Sequence, residues 1–357
     1  MITLCKHRVV IAPVVLFAAL ASASAQAQPS PTIDTAVSGV SAFVSPPSNF
    51  DPLTATDAEL DQYGFAPRPS ADLGEAVMKS WQHRATLQTR LVPQLQLSNK
   101  FHSPARITNP IKTTSGVIEG SSENWSGYVI TDPANPFVKP RSQIEARFIV
   151  PKAAPGCASK ADTYSSANWV GIDGAFSNDV FQAGTETDLN CDSGPTSYAW
   201  IEWFPNSEIR VTNLEVAPGD AMSISAFIGL DNRKHLTIDN LTTRKSVSLA
   251  MTPPPGTNLV GNSIEWIVER PTLNNVALSK LTNYVLNPWT DISGVSFEHL
   301  PGPPTIYLPN AAPASATIYR LWMKEGADQI SGVELFSIPN AGAKAAPSLW
   351  FVATTPY

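Results

Sequence analysis

The sequence predicts an all-β protein, a sandwich or a barrel, preceded by a short helical leader. Three observations carry this. From Asn124 onward apolar and polar residues alternate with period two in short runs, Pro, Gly, Asn and Asp separate those runs, and helix-like stretches are few. The region is about 235 residues long, which fits one domain.

The chain opens with Lys6, His7 and Arg8, an apolar run from Val9 to Leu20 and small residues ending in Ala25-Gln26-Ala27. This is the pattern of a secretory signal peptide over residues 1–27. No later apolar run approaches the roughly 18 residues of a spanning helix. The expected location is therefore outside the cytoplasm, extracellular or periplasmic.

Residues 28–118 read as a propeptide and linker. The Pro, Ser, Thr and Ala composition up to about residue 50 is that of a flexible lead. Two helices are expected next, one from Asp57 and one from Asp72 running toward Leu91, each with a capping residue near its start. From His102 to Ser122 the composition turns polar and rich in Pro and Gly, as in a linker.

Residues 119–357 form the β domain. Expected strands include Trp125–Ile130, Gln143–Val150, Tyr198–Phe204, Ile209–Val216, Met222–Leu230, Leu236–Leu241, Ser263–Glu269, Thr317–Met323 and Leu349–Ala353. In "YAWIEWF", Tyr198, Trp200, Glu202 and Phe204 share one face, so a carboxylate stands between large aromatics. In "SIEWIVE", Ile264, Trp266 and Val268 make the apolar face, and Glu265 and Glu269 point the other way. Taken alone, Glu265 reads as a solvated outer residue.

Of three cysteines, Cys5 leaves with the signal, so Cys157 and Cys191 are expected to pair in an oxidising compartment. Without a neighbouring His they do not suggest zinc. Only His235 and His299 occur beyond residue 118, and no serine, cysteine or zinc hydrolase signature surrounds them. The β domain holds 23 Asp and Glu against 15 Lys and Arg, whereas residues 28–118 hold 7 of each. This acidity disfavours nucleic acid and anionic membrane as partners. Asp192-Ser193-Gly194 matches the aspartic-peptidase triplet but lacks apolar flanks and a second copy, and reads as a turn.

Six motifs then stand in order: "NWSGY" at 124–128, "WVGIDG" at 169–174, "FQAG" at 181–184, "WIEWFP" at 200–205, "IDNLTT" at 238–243 and "IEWIVERP" at 264–271. In order and spacing they resemble the glutamic peptidases, or eqolisins, and "YGFAPRP" from Tyr63 resembles prosegments of bacterial members. The resemblance implies a concanavalin-like β-sandwich of two large antiparallel sheets. It also implies a catalytic pair, Gln182 and Glu269, with Trp125, Trp169, Asp173 and Glu202 lining or supporting the cleft.

Such a pair suffices for amide hydrolysis in acid. A Glu near its reference pKa of roughly 4.3 can take a proton from water and return it to the leaving nitrogen. A Gln can orient the water and donate to the oxyanion without titrating. No metal, cofactor or covalent intermediate is needed.

Three features depart from the fungal pattern: the cysteine positions, the region beyond Pro271, and Arg270, a cation expected to lower the Glu269 pKa. The overall expectation is a secreted, self-activating acid endopeptidase acting on proteins or peptides, with a monomer as the default. Lys79, Arg84, Arg90, Lys100, Arg106 and Lys112 of the leader are expected to face the acidic domain, with cleavage between His102 and Ser122. The alternative is a secreted lectin-like β-sandwich that binds carbohydrate through its tryptophans, or an inactive relative of the peptidases.

Overall fold

The computed structural model describes residues 31–353, apart from 88, 155–156, 158, 285, 298–303 and 337–346. Residues 1–27, expected to be a signal peptide, and His299 lie outside the described residues. Strands dominate, as alternation predicts, and two layers emerge from their pairing.

The front layer runs through Ile118–Ser122, Thr317–Glu325, Trp125–Thr131, Ser263–Glu269, Tyr164–Ile172, Val180–Asn190, Gly194–Phe204 and Ile209–Glu215. All neighbours are antiparallel except the first pair. The back layer runs through Lys245–Met251, Lys234–Asn240, Ala221–Ile228, Gln143–Ile149, Asn287–Ser296, Ser348–Ala353 and Asp328–Phe336. The hairpin joining Thr317–Glu325 to Asp328–Phe336 continues the pairing from one layer to the other. The ladder thus folds over on itself as a β-sandwich.

The core between the layers is the sum of the inward faces. Val170, Ile172, Phe181, Ala183, Ile201, Trp203, Ile264, Trp266 and Val268 from the front meet Ile144, Phe148, Ile224, Leu236 and Leu249 from the back in one buried cluster. The Trp266 indole crosses the gap and donates to the Glu145 carbonyl at 3.0 Å. Because these residues hold one parity, the other parity of each front strand faces outward into a cleft. The fold thereby decides which side chains can do chemistry.

The leader is partly helical and partly woven into the sandwich. Thr56 caps the helix Asp57–Gln62 with a reciprocal capping box to Glu59. The helix Glu75–Ala85 starts from Gly74 without a side-chain cap and lies over the outer face of the back layer. There Arg84 bonds Glu145 at 2.5 Å and Ser225 at 2.9 Å, and Ser80 bonds Asp291 at 2.8 Å. Val40–Phe43 extends the back layer beside Leu249–Met251, and Leu95–Leu97 extends the front layer beside Ile209–Val211. The leader therefore wraps one edge of the sandwich from back to front. The stretch 102–122, linker-like in composition, contributes the strands Thr108–Lys112 and Ile118–Ser122.

Asp192 and Ser193 donate their amides to the Asn190 side chain at 2.9 Å, and Gly194 has φ +86°, so "DSG" is a turn. Asn124 and Asn240, each in an Asn-x-Ser/Thr tripeptide, are buried with their side chains hydrogen-bonded. Cys157 and Cys191 form a disulfide across a sequence separation of 34. A loop of that size contributes about 4 kcal/mol through the unfolded chain. Replacing both cysteines with serine is expected to lower the unfolding free energy by about 2–4 kcal/mol, read from denaturant midpoints.

Candidate active site

Register brings the cleft residues together. Gln182 pairs with Gly171 on one side and Glu202 on the other. Glu269 ends its strand opposite Ala167 and Trp125. Gly184 lies across from Trp169 and Trp200. A Cβ on Gly184 would meet the Asn168 carbonyl oxygen at 2.2 Å and Trp169 Cβ at 2.7 Å, so only glycine lets the strands close there. Small residues set the floor, and large polar ones rise around it.

Trp169 donates its indole N–H to Glu269 Oε2 at 2.8 Å, and Asn124 donates to Glu269 Oε1 at 3.3 Å. Trp125 holds Trp169 edge-on, with ring centroids 4.8 Å apart. Asp173 sits lower. At φ +69° it turns the chain out of its strand, and its carboxylate accepts the amides of Val260, Gly261 and Asn262 at 2.7–3.0 Å. It fixes the approach to the Ser263–Glu269 strand rather than lining the cleft beside Gln182. Burial pushes its carboxyl up to about 6 despite those amides.

The leader occupies the cleft. Gln182 Nε2 donates to the His102 backbone carbonyl at 2.8 Å, and both Glu202 oxygens accept the His102 amide at 3.1 Å. The His102 ring lies flat on Trp200, with centroids 3.7 Å apart and planes 8° from parallel. Its Nδ1 faces Glu269 Oε2 at 3.3 Å, and its Nε2 faces Glu208 Oε2 at 3.1 Å and Glu186 Oε2 at 3.3 Å. Beside it the Lys100 ammonium bonds Glu186, Asp188, Ser165 and Tyr198.

Both ring nitrogens face carboxylate oxygens, which is the environment of an imidazolium. Burial alone would push the His102 pKa down, but the bonds to Glu186, Glu208 and Glu269 raise it well above its ordinary 6.5. Burial pushes Glu208 up, and the bond and charge of His102 outweigh this and hold it at about 2. For Glu269 burial wins, and the donors His102, Trp169 and Asn124 offset it only in part. Glu269 is thus raised, against the lowering expected from Arg270. The physical reason is placement: Arg270 turns to the Glu123 carbonyl and Glu325, away from the cleft.

A model of the Peptidase A4 family matches residues 123–306, more than half of the chain. The chain belongs to this family, the eqolisins. It is 25% identical over 189 residues to aspergillopepsin-2 of Aspergillus niger, covering 48% of this chain and 64% of that protein. It is 26% identical over 147 residues to scytalidopepsin B of Scytalidium lignicola, covering 41% and 51%. The matches thus span less than two thirds of either relative. Among solved structures, scytalido-glutamic peptidase with a transition state analog inhibitor aligns at TM-score 0.47 and 18% identity, covering 65% of this chain and 98% of that one. The aspergilloglutamic peptidase of Aspergillus niger aligns at 0.42 and 20%, covering 53% and 99%.

In this eqolisin, sequence reasoning missed Glu186, Glu208 and the role of His102. A signal existed. Lys100 and His102 share strand parity, as do Glu186 and Asp188, so two cations at alternate positions match an acidic face. Of the other leader cations, Arg84 reaches the back layer, Lys79 pairs within its own helix with Glu75, and Arg106 and Lys112 are exposed. Glu265, expected on a solvated face, is fully buried, and burial pushes its carboxyl well above the ordinary range. His102, Glu186 and Glu208 have a spacing that suits a metal ion, but Lys100 on Glu186 supplies the countercharge there.

Glu208, held down, stabilises the leader-closed structure fully above its ordinary 4.5 and loses that contribution as pH falls toward about 2. Glu186, also lowered, acts in the same direction. Acidification through this window is expected to remove hydrogen-exchange protection from Lys100–His102, after correction for intrinsic rates. Protection that persists to about pH 2 would count against the ionic latch.

Proposed function

We propose that the chain is the precursor of a secreted acid endopeptidase in which Gln182 and Glu269 hydrolyse peptide bonds with water as nucleophile. One observation carries this reading. A backbone carbonyl, that of His102, docks on the Gln182 amide while Glu269 lies against the same residue, so a substrate carbonyl has a donor and a base at one place.

In the reaction Glu269 takes a proton from water as the water oxygen bonds to the carbonyl carbon. Gln182 donates to the oxygen that becomes negative, in a site closed to bulk water. Glu269 then delivers its proton to the nitrogen as the C–N bond breaks. Trp169 and Asn124 orient the carboxylate, and the edge-on contact of Trp125 keeps the Trp169 indole in place. Glu202, beside Gln182, holds the incoming backbone through its amide.

The leader, residues 28–118, keeps the precursor inactive by filling this cleft, and acid releases it by discharging Glu208 and Glu186. The cleavage that frees the β domain falls between His102 and Ser122, on a chain exported by its first 27 residues. Among the described residues no helix is long and apolar enough to cross a membrane.

Gln182→Ala is expected to lower kcat by about 10²- to 10³-fold, the usual cost of a lost oxyanion donor, and Glu269→Gln to abolish turnover. Both are measured on an unfolded protein substrate after acid treatment, with pepstatin and a chelator present. Full activity in Glu269→Gln would remove Glu269 as the base. Trp169→Phe removes a donor that favours the ionised carboxylate, so the Glu269 pKa rises. The acid limb of the kcat/KM profile is then expected to move up by about 1 pH unit; an unmoved limb would assign it to another group.

A further inference from the structure

The cleft already holds a peptide, the chain's own leader, in extended form. Leu95–Leu97 pairs antiparallel with Ile209–Val211, and Lys100–Phe101 pairs with Thr272–Leu273 on the opposite side. The Ser98 amide donates to the Glu208 carbonyl at 2.9 Å, and the Glu208 amide donates to the Lys100 carbonyl at 3.0 Å. Main-chain bonds of this kind hold a peptide without regard to its side chains. Selectivity then rests on the alternate positions 100 and 102.

Both positions are built for cations. At 102 a flat Trp200 face and the carboxylates of Glu208 and Glu186 surround the side chain. At 100 Glu186 and Asp188 meet the ammonium, with the hydroxyl oxygens of Tyr198 and Ser165 sharing its third N–H. The side chains of His102, Glu186 and Glu208 are 0% exposed and that of Lys100 is 5% exposed. A neutral apolar side chain at either place would leave a buried carboxylate short of a partner, which low-dielectric surroundings penalise strongly. Arg210, at 3.0 Å from Glu208 and 3.3 Å from Asp188, compensates those two and leaves Glu186 to Lys100 and His102.

The geometry points to a peptidase that selects cationic substrates, with His, Lys or Arg on the acyl side of the scissile bond and a second cation two residues before it. This rests on the proposed peptidase reading, since it takes the residue docked on Gln182 as the acyl-side residue. The leader is then a pseudo-substrate whose sequence, Lys100-Phe101-His102, records the preference of the cleft.

Two measurements test it, the first on the full chain and without any catalytic readout. In hydrogen exchange near neutral pH, a Lys100→Leu/His102→Leu variant is expected to lose protection over residues 95–102, whereas Lys100→Arg/His102→Lys retains it. Circular dichroism verifies the fold of each. Equal protection in the leucine variant would overturn the proposal whatever the activity. In cleavage-site profiling of a peptide library with acid-treated protein, kcat/KM for a leucine on the acyl side is expected to be about 100-fold below that for a cation. Glu186→Gln and Glu208→Gln are expected to narrow the gap. Cleavage mainly after apolar residues would overturn cation selection while leaving the peptidase reading intact. Loss of protection in the leucine variant with no cleavage of any peptide would refute the peptidase reading and leave a cation-selecting cleft.

Discussion

The structure depends on one electrostatic constraint: carboxylates that the front layer places on its cleft face must find countercharges out of water. Glu186, Glu202, Glu208 and Glu269 are all fully buried. An uncompensated carboxylate in such a place either costs several kcal/mol or takes up a proton. The leader supplies the compensation as one imidazolium and one ammonium two residues apart. Glu186 and Glu208 accordingly stay ionised, whereas Glu202 and Glu269, with less countercharge, are pushed up by burial. In the proposed reaction this split separates holding a cation from handling a proton.

The same constraint explains why the leader is woven into the sandwich. A tethered helix alone would deliver Lys100 and His102 imprecisely. Instead, strand pairing beside Ile209 fixes register before the cleft is reached, and Arg84 on Glu145 anchors the helix to the far layer. Position 102 is thereby specified from both directions. The β domain carries the cleft, and the leader completes its charge balance.

Much of this was legible in the sequence, for reasons that differ residue by residue. The alternation of Tyr198–Phe204 put Trp200 and Glu202 on one face because side chains in a strand can only alternate. Cys157 and Cys191 paired because no other partner remained. Gln182 and Glu269 stood out through motif order, and the structure brings both against His102. Glu265 was misjudged because parity tells which face a residue takes, not what covers that face. Arg270 was misjudged because adjacency in sequence says little about where a long side chain finds its carboxylate. The stretch 102–122 looked like a linker because its composition is polar, yet pairing with Thr317–Glu325 makes part of it a strand.

By itself the sequence determined the all-β class, the two-faced strands, the disulfide and the family, since each follows from local pattern, chain connectivity or ordered motifs. Only the tertiary structure decided which carboxylates share a site, that His102 lies among them, and which way each pKa moves. Those outcomes depend on distances between strands far apart in the chain and on exclusion of water, and neither is encoded in any local pattern.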